Sequence, residues 1–267
     1  HGNQNNRQGG TQIYDPVTGK IIWVGGLQQG QDPNIAYAYV PADLYRTQAQ
    51  LDADANRVDL NGARVLLGPG RYNALTTAQK AGFFPIALGD VKWADIDKND
   101  TIDFRDRVYM GRTVPRWTGG FSSYARWKNL SLSARFDYAL GFVAYDGPRA
   151  WFMGNAQGTF NTVKDVYETY TPQNTSAQYP TYYWADQLFK NNVLRDSKMF
   201  YQKGDYLALR EINLVYSLPA GWAGKIKSES INLSATVQNV GYMSKSTLYS
   251  PESGSIANAA AGSGGYP

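Results

Sequence analysis

The segment LSLSARFDYAL, residues Leu130–Leu140, is the most informative part of the sequence about the fold. Its apolar residues stand at every second position, and serine, arginine and aspartate fill most of the positions between them. Successive side chains of a β-strand point to opposite faces of the sheet, so this pattern predicts a strand with one apolar and one polar face. The run has 11 residues, and a strand that crosses a membrane needs about nine to eleven.

Three further runs resemble this one. Phe121–Trp127 alternates in the same way, and Lys128-Asn129 between the two runs predicts a tight hairpin, because asparagine tolerates positive φ. Tyr206–Leu218 and Ile231–Asn239 are also predicted strands. The alternation of the former changes phase at Arg210-Glu211, which predicts a β-bulge. A soluble β-sandwich alternates similarly, but its strands average only about five or six residues.

The connections between these strands favour a membrane barrel over a sandwich. Lys128-Asn129 and Pro219–Ser230 are compact, whereas Phe142–Met199 is a connection of 58 residues. Outer-membrane barrels combine short periplasmic turns with long outside loops, and they carry aromatic girdles at the membrane interfaces. Such a long connection is unusual in a compact soluble domain. The aromatic residues next to the short turns are Trp127, Tyr216 and Trp222.

Smaller elements are predicted outside these runs. Turn residues and helix formers predict a strand at Lys20–Val24 and short helices at Thr47–Asn56, Thr76–Gly82 and Thr162–Thr169. Residues 57–75 are predicted to form a loop.

The composition excludes several classes of function. Charged residues make up 18% of the chain, against about 25% in ordinary soluble domains. The net charge is +4 without any run of Lys and Arg, so we expect no nucleic-acid partner. The chain has no cysteine, and its one histidine is His1. Disulfide scaffolds, zinc-thiolate sites and a Ser-His-Asp triad are therefore excluded within this chain.

A cluster of oxygen-bearing residues lies at 95–106. Its spacing is that of a twelve-residue calcium loop, with ligands at positions 1, 3, 5, 7, 9 and 12. Position 6 is Asp100 where glycine is usual, and position 12 is an aspartate where glutamate is usual. No flanking helices are evident, so we expect a structural Ca²⁺ that neutralises the aspartates and not a sensor; a solvated acidic turn is the alternative. The predicted ligands are Asp95, Asp97, Asn99, Thr101 (through its carbonyl), Asp103 and Asp106.

Three segments resemble the SusC/RagA family of TonB-dependent receptors. They are GDVKWADIDKNDTIDFRDRVYMG (residues 89–111), YLALREINLVYSLP (residues 206–219) and INLSATVQNVGYMS (residues 231–244). The motifs occur in the order of the family, and the resemblance covers roughly residues 36–267. Ala208, Glu211 and Val215 depart from the residues that are common there.

This resemblance implies an all-β protein, the C-terminal part of a plugged, antiparallel transmembrane β-barrel of about 22 strands with long extracellular loops. Residues 1–267 would supply about eight of those strands, without the plug, the early strands and the last strand. It further implies a bacterial outer-membrane location in contact with lipid, import of glycan fragments or oligopeptides, a SusD-like lipoprotein partner, and energy from the TonB complex through an N-terminal part. Loop aromatics are the candidate substrate-binding residues: Trp151, Tyr182, Tyr183 and Trp184. They could equally pack within the loop or contact the lipoprotein.

Two other readings stay open at this point. The first is a secreted, calcium-stapled β-domain that binds glycans by stacking loop aromatics on sugar rings. The second is a glycoside hydrolase, which would need two paired carboxylates. Asp137, Asp165 and Glu168 are candidates, but nothing in the sequence pairs them, so we expect no enzyme.

Overall fold

The computed structural model describes residues 9–61, 64–154, 161–183, 190–225, 227–248, 250 and 252. Two compact units divide the chain. We call the described residues within 1–111 and 145–201 the loop unit, and those within 112–144 and 202–261 the sheet unit.

Most of the regular structure is β. The strands are β1 Thr11–Asp15, β2 Lys20–Val24, β3 Ile35–Ala38, β4 Pro41–Leu44, β5 Val58–Asn61, β6 Arg64–Leu67, β7 Phe84–Pro85, β8 Val91–Trp93, β9 Thr101–Ile102, β10 Val108–Arg112, β11 Trp117–Trp127, β12 Leu130–Leu140, β13 Val143–Tyr145, β14 Tyr201–Lys203, β15 Tyr206–Ser217 and β16 Asn232–Ser244. The helices are α1 Gln48–Ala53, α2 Pro69–Asn73, α3 Thr77–Lys80, α4 Gly147–Gly154 and α5 Ala220–Lys225, with 3-10 turns at Phe104–Asp106, Lys164–Glu168 and Lys198–Phe200. No helix within these described ranges is long and apolar enough to cross a membrane.

The sheet unit is a four-stranded antiparallel sheet in the order β11-β12-β15-β16. Lys128 in the β11–β12 hairpin has a φ of 53°, the left-handed conformation that a two-residue turn requires. The predicted bulge is confirmed, because the register between β15 and β16 shifts between Leu209 and Glu211. The remaining strands of the described residues have five residues or fewer and do not extend this sheet.

The open ends of the four long strands gather at one end of the sheet. Trp117 pairs with Leu140, Ala139 with Tyr206, and Tyr206 with Ser244. The hairpin turn and the short β15–β16 connection lie at the opposite end, which we call the turn end. The segment before β11 and the connection from β12 to β15 therefore meet these strands at the end opposite the turns, as predicted for long loops of a barrel.

The loop unit has small sheets and its own core. One of these sheets has four strands, in the order β7-β6-β5-β9, and another pairs β4 with β8. Both pack around buried side chains. The main cluster joins residues between positions 39 and 102 to residues of the long connection: Tyr39, Leu44, Val91, Trp93, Ile102, Tyr170 and Ala177. The long connection therefore contributes to a packed core and is not an open loop.

Local sequence explains the short helices. Thr47 caps α1 and Thr76 caps α3, and in each case a glutamine three residues later closes a capping box. These two predicted helices are confirmed, whereas Thr162–Thr169 contains only the 3-10 turn Lys164–Glu168. The predicted loop at 57–75 was wrong, because β5, β6 and α2 occupy it. The apolar residues there alternate with polar ones that are themselves buried, which hides the strand pattern.

Candidate functional site

The sheet has one apolar and one polar face along its whole length. Most cross-strand neighbours on the apolar face are apolar, as in the row Ser123, Ala134, Ile212 and Val237, where only Ser123 departs. The rings of Phe121 and Phe136 stack across β11 and β12 with centroids 4.8 Å apart. This register sorts the residues as the alternation predicts.

The apolar face is open. Its exposed large side chains come from every strand: Trp117, Phe121, Trp127, Leu132, Leu140, Leu214, Tyr216, Leu233, Val237 and Met243. Val237, in the middle of β16, is 57% exposed. A contiguous exposed apolar surface of this kind marks contact with a membrane or another protein. Its strand length of 11 to 13 residues fits a tilted membrane-crossing strand of about nine to eleven.

The polar face carries a charged cluster. Arg210, which lies in the bulge of β15, forms ion pairs with Asp137 and Glu252 and donates to the Tyr242 hydroxyl at 3.0 Å. Arg135 and Glu211 approach to 3.8 Å on the same face. Asp137 therefore forms a cross-strand ion pair on the polar face.

The three predicted girdle residues lie at the turn end and are exposed. Trp127 is 71% exposed and Trp222 is 66% exposed, while Tyr216 is less so. The ammonium of Lys128 stands 4.9 Å from the centroid of the Trp127 ring. Large amphipathic rings at such a border suit the boundary between hydrocarbon and headgroups.

The Asp loop folds around its own carboxylates. Asp95 accepts from the backbone N–H groups of Asn99 at 3.2 Å and Asp100 at 2.8 Å. Asp100 has a φ of 60°, so aspartate adopts here the left-handed conformation for which glycine is usual. Asp106 is fully buried and accepts from the N–H groups of Ile96 at 2.7 Å and Asp103 at 2.8 Å.

Three of the six predicted ligands converge. One carboxylate oxygen from each of Asp95, Asp97 and Asp106 lies within 4.8 Å of the others. Asp103 does not join them, because Arg105 holds its carboxylate with contacts of 2.7 and 3.0 Å. Asn99 is engaged locally: its amide donates to Asp97 at 2.8 Å, and its oxygen accepts from the Thr101 N–H at 2.7 Å.

The electrostatics of this cluster favour a cation. Burial, and to a lesser extent the charges of Asp97 and Asp95, raise the pKa of Asp106 to about 6. Burial likewise raises the pKa of Asp97, against the opposing charge of Arg105. The Asp97 Oδ1 atom is buried without a hydrogen-bond partner among the described residues. An oxygen-liganded cation such as Ca²⁺ would satisfy that atom and relieve the repulsion among the carboxylates.

The loop aromatics are only partly brought together. Tyr182 and Tyr183 line a narrow cavity in the loop unit with Met153, Pro180, Asn192 and Leu194. Trp151 lies on α4 outside that lining and packs edge-on against Phe152, with centroids 5.1 Å apart. Trp184 lies outside the described residues. The hydrolase candidate Asp165 forms an ion pair with Arg149 at 2.9 Å.

A buried charge network in the loop unit was not predicted from the sequence. Lys190 contacts Asp90 at 2.7 Å, and Arg195 contacts Asp59 at 2.6 Å, with all four side chains nearly inaccessible. The guanidinium of Arg195 also lies over the Tyr39 ring, 4.3 Å from its centroid. Lys190 and Arg195 are isolated basic residues of the long connection, and the sequence does not identify partners 100 or more positions away.

Comparisons with known proteins place this architecture. TonB-dependent receptor P3 of Formosa agariphila is 24% identical over 152 residues, which is 57% of this chain and 14% of that protein. The RagAB peptide importer in the closed-closed state aligns with a TM-score of 0.54 at 20% identity, over 91% of this chain and 22% of that one. A further structure of the RagAB peptide transporter gives a TM-score of 0.50 at 24% identity, over 62% and 18%. No family model matches the chain.

These matches confirm the all-β fold class and the likeness to a region of a SusC/RagA-like TonB-dependent transporter. The predicted outer-membrane location is confirmed with them. The chain spans less than a quarter of the length of the relatives that it matches.

Proposed function

Because the chain resembles a region of a SusC/RagA-like TonB-dependent transporter, we propose that it forms part of the barrel wall of an outer-membrane importer. The whole protein takes up oligopeptides or glycan fragments with energy from TonB, and a SusD-like lipoprotein closes its outer side. The similarity to the RagAB peptide importer favours oligopeptides as the first cargo to test.

The observation that carries this proposal is the division of the sheet into two faces. One face exposes a large apolar patch that includes Leu132, Leu214 and Val237. Proteins rarely leave an apolar patch of this size in contact with water. The opposite face holds the ion pair of Arg210 with Asp137, which hydrocarbon would not solvate. Lipid on one side and an aqueous lumen on the other satisfy both faces.

Uptake in cells tests the transport step. The full-length gene is deleted from its bacterium, and entry of fluorescent oligopeptides and oligosaccharides is compared in the parent, deletion and complemented strains. We expect loss of uptake for one cargo class on deletion, and the same loss when TonB is removed. Uptake that persists without TonB would contradict the proposal.

Purification tests the membrane assignment and separates it from the secreted glycan-binding domain. We expect the full-length protein to fractionate with outer membranes and to require detergent, and the SusD-like lipoprotein to copurify with it. A full-length protein that stays monomeric in buffer without detergent would favour the secreted domain.

We propose in addition that Asp95, Asp97 and Asp106 hold one Ca²⁺ as a structural staple. The cation supplies positive charge and no reaction chemistry. Asn99 and the Thr101 carbonyl lie in the same loop and are the remaining candidate ligands, whereas Asp103 would bind only if it left Arg105. Calorimetric titration of the EDTA-treated full-length protein with Ca²⁺ tests this. We expect the wild type and the control variant Asp52→Asn to release or absorb heat on binding Ca²⁺, and Asp106→Asn to show no such heat. Equal heats in both variants would refute it.

We expect no hydrolase activity. Asp137 pairs with Arg210 and Asp165 with Arg149, so both carboxylates serve ion pairs that stabilise local structure. Cleavage of a polysaccharide by the full-length protein, lost on Asp165→Asn, would overturn this expectation. We propose that Tyr182 and Tyr183 contact either the cargo or the lipoprotein. The Tyr182→Ala variant distinguishes these alternatives: its uptake reports on contact with cargo, and its copurification reports on contact with the lipoprotein.

A further inference from the structure

The turn end of the sheet combines exposed aromatic rings with basic side chains. Residues 126–129 and 217–232 contain four basic residues, Arg126, Lys128, Lys225 and Lys227, against one acidic residue, Glu229. The chain as a whole is nearly balanced, with 26 basic and 22 acidic residues. The excess of positive charge at this end is therefore a local feature.

These cations are held where the apolar face stops. Trp127 and Tyr216 flank Leu130 in the last cross-strand row of that face. The Lys128 ammonium lies beside the Trp127 ring, at 4.9 Å. On the other connection, α5 presents Trp222, which is 66% exposed, and ends at Lys225.

The backbone fixes both basic turns. Lys128 and Lys227 have φ values of 53° and 57°, so each lies in a tight turn. The Lys227 N–H donates to the Gly224 carbonyl at 3.1 Å, and the Ser228 N–H donates to the Ala223 carbonyl at 3.0 Å. The lysines thus project from short, hydrogen-bonded turns.

We propose that this turn end binds the phosphate headgroups of anionic phospholipids in the leaflet that faces the periplasm. The inference rests on the proposed function, which makes the apolar face lipid-facing and the short turns periplasmic. Indole rings settle at the depth of the headgroups, and lysines beside them meet the phosphates there. The acidic side chains of a protein partner are a less suitable occupant, because the patch is continuous with a surface that lies in hydrocarbon.

The site predicts a preference among lipids. Phosphatidylglycerol carries a net negative charge and phosphatidylcholine carries none, so the bound lipid should be enriched in the former. A basic residue near an anionic membrane surface contributes an affinity factor of about five. Replacing Lys128, Lys225 and Lys227 by glutamine should therefore reduce the enrichment by one to two orders of magnitude, roughly.

Lipid that copurifies from mixed nanodiscs tests this. The full-length protein is reconstituted in equimolar phosphatidylglycerol and phosphatidylcholine, and the lipids retained after mild detergent extraction are counted by native mass spectrometry. The matched control replaces Lys164, Lys203 and Lys245, which lie elsewhere in the chain, by glutamine. We expect enrichment in the wild type and the control, and its loss in the turn-end variant.

The outcomes separate the two proposals. Equal enrichment in the turn-end variant and the wild type would overturn the headgroup site, as would an equal loss in the control or displacement of the lipid by inorganic phosphate. If the wild type inserts into pure phosphatidylcholine and transports cargo without any preference, the headgroup site fails and the importer stands. A wild type that enters no bilayer would refute the importer itself.

Discussion

Replacing Val237 by arginine should destabilise the protein in a bilayer much more than the same change at its neighbour Thr236. Val237 lies on the apolar face and is 57% exposed. Thr236 lies on the polar face, where its hydroxyl donates to Asn213 at 3.1 Å. The two residues are adjacent in β16, so they sit at almost the same depth and differ in the face that they occupy.

The depth of Val237 follows from the register. An 11-residue strand such as β11 is about 37 Å long at about 3.4 Å per residue. A tilt of about 45° reduces its height to about 26 Å, close to the apolar band of about 25 Å in outer-membrane barrels. Leu233 lies in the last cross-strand row at the turn end, and Val237 lies four residues further along β16. Val237 is therefore about 10 Å further into the membrane than Leu233, measured along the membrane normal. It is therefore near the middle of the hydrocarbon.

An arginine at that depth costs about 2 to 4 kcal/mol in a membrane barrel, and about 0 to 1 kcal/mol near the interface. We therefore expect Val237→Arg to lower the free energy of unfolding by about 3 kcal/mol. Leu233→Arg, near the interface, and Thr236→Arg, which faces the lumen and loses one exposed hydrogen bond, should each cost about 1 kcal/mol or less.

Guanidinium unfolding of the full-length protein in liposomes, followed by tryptophan fluorescence, measures these differences. Heat-modifiable migration of each variant before unfolding controls for correct assembly. Similar costs at positions 236 and 237 would show that the two faces do not meet different solvents. A cost at Leu233 as large as that at Val237 would show that depth in a bilayer is not the cause, and either result refutes the placement of the sheet.

The remaining predictions concern the loop unit, and one control variant lies in the sheet unit. At Ca²⁺ about tenfold above a Kd of about 0.1 to 1 mM, the full-length protein should gain about 1.4 kcal/mol or more, measured as a calcium-dependent rise in Tm that Asp106→Asn removes. In calcium-free protein the raised pKa of Asp106, about 6 against an ordinary 3.8, means that the folded state binds the extra proton. Stability should therefore fall as pH rises from about 4 to about 6, and unfolding midpoints should lose this slope in Asp106→Asn. Arg195→Met should destabilise the loop unit by about 3 to 5 kcal/mol, because it leaves Asp59 buried and unpaired. Arg135→Met removes an exposed ion pair and should cost about 1 kcal/mol or less. Comparable losses of stability in the two variants would contradict the effect of burial.

The sheet was predictable because its information is local. Alternation over 11 residues in Leu130–Leu140, a turn at Lys128-Asn129 and a phase change at Arg210-Glu211 each specify geometry within a few residues. The structure reproduces all three. The strand β5 was not predicted, because its polar residues Asp59 and Asn61 are buried and hide the usual alternation.

The sequence predicted that carboxylates of the Asp loop converge, but it did not predict which of the six candidate ligands do so. Asp95, Asp97 and Asp106 converge as a twelve-residue loop requires. Asp103 is withdrawn because the 3-10 turn at Phe104–Asp106 brings the Arg105 side chain back onto it. The spacing of the residues predicts which side chains can reach a cation. It does not predict which of them instead form an ion pair with a neighbouring arginine.

The loop unit resolves a difficulty that the long connection would otherwise create. An unstructured connection of 58 residues would cost closure entropy and gain no contacts. Its residues instead supply Lys190 and Arg195, whose partners Asp90 and Asp59 belong to the first hundred residues. Buried ion pairs add little net stability over apolar packing, but a mispaired alternative leaves charges buried alone, at several kcal/mol each, roughly. We infer that the network contributes mainly specificity: it selects one docking of two distant segments, while Tyr39, Trp93 and Tyr170 provide the apolar contacts that hold it.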